Sequence, residues 1–250
     1  MKVFILAAGM GTRLGIYTKE IPKCLVKING LPLIFFQKKI LNNFKNLKNN
    51  IYIITGYQNK KINIENFKKI INPKYKSTNM LYSLFFHKSL LNGSLIISYG
   101  DIVYSKGILK KLLNSKAMIS VVIDINWKKY WKKRFKNPID DAESLKINKN
   151  GYITEIGSKV NKIDEIQGQY IGLIKLSPIG AKLFKEHYSK NKFFNGKNYK
   201  KAYLTDFLND LISKGTKIKG VFIDQPWIEI DNVSDIKSKT TLQRLKKINQ

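Results

Sequence analysis

The sequence predicts an α/β protein built on a doubly wound, mostly parallel, Rossmann-like mixed sheet with helices on both faces. Three observations carry this. The chain opens with an unbroken apolar run, KVFILAA (2–8), that ends in glycines. A run without polar alternation is what a strand covered on both faces requires. Comparable runs recur at 50–57, 94–101 and 118–125, separated by stretches of helical spacing, and strand–helix alternation is the pattern of a doubly wound sheet.

The elements follow in order. After the strand at 2–8 and a turn at Asn29-Gly30, LPLIFFQKKILNNF (31–44) has helical periodicity. NIYIITGY (50–57) is a second buried strand, and KKINIENFKKIIN (60–72) reads as a short helix. LYSLFFHKSLL (81–91) is helical, SLIISYGD (94–101) is a strand ending on an acid, and ILKKLLNS (108–115) is helical before the strand MISVVIDI (118–125). Residues 126–159 mix aromatics, cations and acids, with a hairpin turn expected at Asn150-Gly151. QYIGLIKLS (169–177) returns to strand. Helices are expected at 180–190 and 203–215, the second stopped by Gly215. Strand-like KIKGVFID (217–224) and WIEID (227–231) precede a closing helix over 233–249, with Ser234 as its N-cap. With no repeat and no low-complexity linker, the chain reads as one domain over 1–250, with an inserted or extended segment at 126–168.

Composition narrows the function. At 250 residues with 43% hydrophobic content, the chain can bury a sizeable core. A single cysteine, Cys24, forbids an internal disulfide and a cysteine-based metal site, which fits a reducing cytoplasm. The opening apolar run is too short to span a membrane and ends in a glycine loop. It does not read as a signal peptide, and no membrane insertion is expected. The net charge of +29 raises a nucleic-acid partner. Only three of the 46 basic residues are Arg, however (Arg13, Arg134 and Arg244), and phosphate and base readers lean on arginine's planar fork. Scattered lysine beside abundant Asn and Ile reads as a solvated surface, so no specific nucleic acid is expected. Nothing in the sequence specifies an oligomeric state.

The informative stretch is LAAGMGTRLGIYTKEIPKCL (6–25). A strand running into glycines presents bare backbone N–H groups at the carboxyl edge of the sheet, where phosphates or a base can approach. Gly9, Gly11 and Gly15 are spaced one residue too long for the dinucleotide fingerprint, and the G-K-[ST] of a P-loop is absent. The extended run, G-x-G-T-R-L, then T-K-E-I-P-K, then VKINGLPLI, resembles the signature of the sugar-nucleotidyltransferase-like superfamily, whose members join an NTP to a phosphorylated acceptor. The chain departs from the pattern at Ile16, where the family commonly has Pro. The resemblance covers the whole chain and implies a nucleotidyltransferase-type sheet. KSTNMLYSLFFHK (76–88) stands where sugar-phosphate members carry a Gln- and Gly-rich segment. It looks like the phosphocholine and phosphonate cytidylyltransferase branch.

The resemblance implies a cytidylyltransferase that moves CMP from CTP to a small phosphorylated or phosphonate acceptor: phosphocholine, 2-aminoethylphosphonate or another phosphonate, or a phosphorylated amino acid. Pyrophosphate leaves. Lys23, Arg13, Asp101 and Asp231 are the implied catalytic residues. Asp101 and Asp231, with Glu229, are the implied ligands of Mg2+, which takes hard oxygen donors. Leu6, Ala7, Ala8, Gly9, Gly11 and Thr12 are expected along the nucleotide with Arg13 and Lys23, and Tyr57, Asn79, Met80 and Ser83 at the base or ribose. For the acceptor, Asp141 and Glu143 with Trp131 suit a cationic head group, and Lys159 and Gln169 are further polar candidates. The competing readings are a sugar-1-phosphate nucleotidyltransferase using UTP or dTTP, a basic nucleic-acid-binding protein, and an inactive regulator of the same fold.

Overall fold

The computed structural model of the protein describes residues 1–248. Nine strands form one mixed sheet in the order Phe67–Ile71, Ile51–Thr55, Lys2–Ala7, Leu95–Tyr99, Gln169–Leu176, Ile119–Asp124, Ile218–Ile223, Tyr152–Ile156 and Leu145–Ile147. The first four run parallel. Strand Gln169–Leu176 then enters antiparallel to both its neighbours. Strand Ile218–Ile223 pairs parallel with Ile119–Asp124, and the last two strands pair antiparallel. The sheet is thus the expected mixed one, with four parallel and four antiparallel pairings.

Alternation along each buried strand feeds two cores. Val3 and Ile5 point into one, with helices Leu33–Asn42, Lys106–Asn114, Trp127–Arg134 and Lys239–Ile248. Phe4 points into the other, with helices Met80–Phe85, Pro178–Lys190 and Leu204–Ser213. Helices therefore cover both faces, as the apolar runs require. No described helix is long and apolar enough to cross a membrane.

Several elements differ from expectation. The segment at 60–72 is not a helix: Phe67–Ile71 is the edge strand, pairing parallel with Ile51–Thr55. Its apolar residues mimic helical spacing, but Lys68 and Lys69 are exposed on the edge, where charged residues discourage further pairing. The closing helix is two helices, Val233–Lys237 and Lys239–Ile248, broken at Ser238. Its expected last residue, 249, lies outside the described residues. The N-cap is Asn232, not Ser234, and the Asp235 carboxylate accepts the Asn232 N–H at 2.9 Å. The hairpin around Asn150-Gly151 is present, with Gly151 at φ 72°.

Candidate active site

Strand Lys2–Ala7 is where the sheet switches direction of growth. The chain builds outward through 51–55 and 67–71, then returns to place 95–99 on the other side. Open α/β sheets bind ligands beyond the carboxyl ends of the strands at such a point. A cavity of about 280 Å3 lies there, walled by Leu6, Ala7, Ala8 and Gly9 from one strand end and Tyr99, Gly100 and Asp101 from the other. Gly100 donates its N–H to the Leu6 carbonyl at 2.9 Å, and a Cβ on it would stand 2.7 Å from that same oxygen. Only glycine permits this close approach of two strand ends.

The glycine loop aims the cations. Gly11, at φ 66°, starts the turn Thr12–Thr18, and the Thr18 hydroxyl donates to the Gly11 carbonyl at 2.9 Å. Pro22 is extended and sets up the turn Lys23–Leu25, which presses the Lys23 stem against Gly11. A short antiparallel ribbon delivers the acids: Trp227–Glu229 pairs with Ile102–Tyr104, and Ile230 donates its N–H to the Asp101 carbonyl at 3.1 Å. Asp101 and Asp231, 130 positions apart in the sequence, thereby face each other across one ammonium group.

The charges form one network. The Lys23 ammonium donates to Asp101 at 2.6 Å and also to Asp231. Arg13 pairs with Asp231 at 2.7 Å and approaches Asp141 at 3.5 Å. Burial alone would lower the Lys23 pKa, but Asp101 and Asp231 outweigh it and hold the ammonium well above its ordinary value. Burial tends to raise Asp231, and Lys23 and Arg13 overcome that and keep it below the usual carboxylate range. Glu229 is different. Burial, with the negative charges of Asp231 and Asp101, pushes it up to about 7 against the pull of Arg134.

The acids fit a hard divalent cation. Asp101, Glu229 and Asp231 each present a ligand oxygen, all within 4.8 Å of one another. Asp101 Oδ1 is buried with no hydrogen-bond partner. An acceptor left without a donor in a cluster of carboxylates is what a cation would satisfy.

The expected nucleotide residues mostly converge. Leu6 to Gly9, Gly11, Thr12, Arg13, Lys23, Asn79, Met80 and Ser83 all line the cavity. Asn79 caps helix Met80–Phe85 through its side chain, and Ser83 accepts a hydrogen bond from Asn72 at 2.9 Å. Tyr57 does not line the cavity. Its N–H donates to Ala8 and its hydroxyl to the Lys19 carbonyl at 2.6 Å, so it braces the loop from outside. Tyr75 and Thr78 take the place expected of Tyr57, and Cys24 and Tyr99 complete the wall. Neither tyrosine carries a distinguishing sequence signal, but Cys24 adjoins Lys23.

The acceptor candidates divide. Asp141 is beside Arg13, and burial raises its carboxyl. Glu143 is exposed, and its main-chain carbonyl accepts from the Gln169 amide at 3.0 Å. Gln169 is thus a buried brace rather than a free contact. Lys159 is exposed on the loop after strand Tyr152–Ile156, outside the cavity lining. Trp131 is not a binding surface: it is 3% exposed, packed against Trp127, Tyr130 and Trp227 with ring centroids 5.5–6.0 Å away. Its position on the inner face of helix Trp127–Arg134 puts the ring in the core.

No family model matches the chain. The CTP:phosphoglutamine cytidylyltransferase of Campylobacter jejuni is 41% identical over 254 residues, spanning 94% of this chain and 98% of that protein. The chain belongs to the cytidylyltransferase family. This agrees with the resemblance carried by residues 6–25. The choline-phosphate cytidylyltransferase of Streptococcus pneumoniae is 36% identical over 125 residues, 48% of this cytidylyltransferase and 53% of that protein. Among solved structures, a CTP:phosphocholine cytidylyltransferase from Streptococcus pneumoniae superposes over the whole chain and 99% of its own, with a TM-score of 0.72 and 22% identity. The inositol-1-phosphate CTP transferase from T. maritima superposes over the whole chain and 96% of its own, with a TM-score of 0.73 and 19% identity. Those two likenesses establish the shared fold.

Proposed function

We propose that the protein transfers the cytidylyl group of CTP to the phosphoryl oxygen of a phosphorylated amino acid of the phosphoglutamine type, releasing pyrophosphate. The observation that carries this is the near-full-length identity to the Campylobacter jejuni enzyme, which is named for that pair of substrates. An acceptor oxygen attacks the α-phosphorus in line. The new P–O bond forms as the bond to the β-phosphoryl group breaks, and pyrophosphate leaves with that electron pair. The acceptor oxygen is already anionic at neutral pH, so no general base is needed. Positioning and charge stabilisation carry such a reaction.

The chain's own residues divide this work. Bare backbone at 6–11 lies along the nucleotide. Lys23 and Arg13 leave their carboxylate partners to meet phosphate oxygens, Lys23 at the reacting phosphoryl group and Arg13 at the departing pyrophosphate. Asp101 and Asp231 with Glu229 would hold Mg2+, which when bound supplies Lewis-acid neutralisation of phosphate charge. Segment 126–168 forms the acceptor side. Burial of Trp131 removes it from any aromatic cage for a quaternary ammonium. Asp141 and Glu143 instead suit the primary ammonium of an amino acid, which can donate hydrogen bonds to carboxylates. The one cysteine suits a reducing compartment, and we place the enzyme in the cytoplasm.

The test is pyrophosphate release from each NTP with Mg2+ against a panel of phosphoglutamine, phosphocholine, 2-aminoethylphosphonate and hexose 1-phosphates. Turnover with CTP and phosphoglutamine at least tenfold above every other pair is expected. Preference for UTP with a hexose 1-phosphate would sink the reading.

A further inference from the structure

Two of the three arginines in the sequence lie outside the cavity lining, and one of them is nearly inaccessible. Arg134 closes helix Trp127–Arg134, and its side chain is 2% exposed. Its guanidinium spends three N–H directions on two carboxylates. Nη1 donates to Glu229 Oε2 at 2.8 Å, while Nε and Nη2 grip the two oxygens of Asp235 at 3.0 and 3.1 Å. Asp235 Oδ2 in turn accepts the main-chain N–H groups of Asp231 and Asn232, both at 2.9 Å. The rings of Tyr130, Trp131 and Phe135 stand 4.9–5.3 Å from the guanidinium carbon, and the Tyr130 hydroxyl accepts the Glu229 N–H at 3.2 Å.

We propose that Arg134 is a positioning residue: one guanidinium fixes the Glu229 side chain and, through Asp235, the main chain of Asp231, so that both carboxylates are set before a divalent cation arrives. This rests on the metal-binding reading of Asp101, Glu229 and Asp231. Glu229 is the last residue of a ribbon only three residues long, Trp227–Glu229, and Asp231 lies two residues beyond that last ladder position. Such a short element leaves the chain after it free to swing unless something else holds it. A planar fork holds two carboxylates at fixed angles, whereas an ammonium on a flexible stem, which can also meet two carboxylates, imposes no such plane. Outer-shell partners of this kind orient ligating carboxylates, and their loss costs about 10–100-fold in metal affinity. The arrangement also ties the carboxylates to the helix that opens segment 126–168. Seven residues beyond Arg134, Asp141 meets Arg13 on the far side of the same cluster.

The alternative is that the Arg134 network merely fastens the helix to the core. The variant that separates the two is Arg134→Lys, which keeps the charge and loses the fork. Mn2+ binding is measured by electron paramagnetic resonance titration with α,β-methylene-CTP present, so no turnover is involved. Affinity is expected to fall about 10–100-fold. In parallel, kcat is expected to approach the wild-type value at saturating Mg2+, with the acceptor KM unchanged within about twofold. Mn2+ affinity within twofold of wild type, whatever the melting temperature, overturns the proposal. Should Arg134→Lys fail to fold, Asp235→Asn replaces it. That variant keeps an oxygen for the two N–H groups and drops the charge. It is expected to bind Mn2+ more weakly by about tenfold, within the same outer-shell range, and unchanged affinity overturns the proposal equally. Wild-type protein whose Mn2+ binding is indifferent to Asp101→Asn removes the metal reading itself, which is a distinct failure.

Discussion

Asp101→Asn tests the charge cluster most cleanly, because the side chain keeps its shape and loses only its charge. In the structure its carboxylate attracts the Lys23 ammonium at 2.6 Å. In a medium of effective dielectric about 20, that attraction is worth about 6 kcal/mol before desolvation. Against it stand Glu229 and Asp231, whose ligand oxygens lie within 4.8 Å. At that outer limit Asp231 repels Asp101 by about 3.5 kcal/mol, and Glu229, about half ionised at pH 7, by about half as much, about 5 kcal/mol for the two. The terms nearly cancel. Folding stability should therefore change by no more than about 1–2 kcal/mol, and the melting temperature by about 2–8 °C for a chain of this size. Turnover should respond quite differently. Removing one preorganised charge from a phosphoryl-transfer site costs about 3–4 kcal/mol of transition-state stabilisation, a loss of about 10²–10³ in kcat. The assays are pyrophosphate release at saturating substrates and a thermal melt. Turnover within tenfold of wild type refutes the assigned role, and a melting temperature lowered by far more than about 8 °C refutes the balance of charges.

Three further outcomes are expected. Glu229 has a folded pKa raised to about 7, above its unfolded value, so its protonated form favours the folded state and that contribution is lost as pH rises from about 5 to about 8. Over that range wild type should lose melting temperature relative to Glu229→Gln; a constant difference contradicts the raised carboxyl. Trp131→Ala should lower stability by about 3–5 kcal/mol, as buried aromatics do, with the acceptor KM unchanged; a tenfold KM rise at an unaltered melting temperature would restore Trp131 to the acceptor site. Gly100→Ala must place a Cβ 2.7 Å from the Leu6 carbonyl and 3.0 Å from the Ala7 Cβ. Calorimetric CTP affinity should drop more than tenfold, and wild-type binding would show that the strand ends can part.

Much of the fold and of the candidate site is legible in the amino-acid sequence. The apolar runs at 2–8, 50–57, 94–101 and 118–125 announce buried strands because burial on both faces removes polar alternation. Residues 6–25 carry the glycine loop in contiguous sequence, so Gly11, Arg13 and Lys23, which line one cavity, can be read together. Long-range geometry is less accessible. The edge strand at 67–71 hides behind helical spacing, since period alone does not settle short mixed segments. Trp131 resembles a ligand for a cation because nothing local says which face of a short helix turns inward. Arg134 stands out in the sequence only as a scarce arginine. Its role depends on Glu229 and Asp235, 95 and 101 positions away, and no local pattern encodes such a meeting. Arg244 joins the same region, donating to the Trp227 carbonyl at 2.7 Å and lying 4.0 Å from the Tyr130 ring. All three arginines thus surround the ribbon that presents Glu229 and Asp231.

Phosphorus-31 nuclear magnetic resonance of the reaction tests the central claim most directly. The protein is mixed with CTP, Mg2+ and phosphoglutamine, and the spectrum is followed without any coupling enzyme. The account predicts a pair of coupled resonances from a new P–O–P linkage between CMP and the acceptor, growing in step with free pyrophosphate, and absent with Asp101→Asn. Pyrophosphate appearing with free CMP and no coupled pair, or the same spectrum from Asp101→Asn, would contradict transfer at the Lys23, Asp101 and Asp231 cluster.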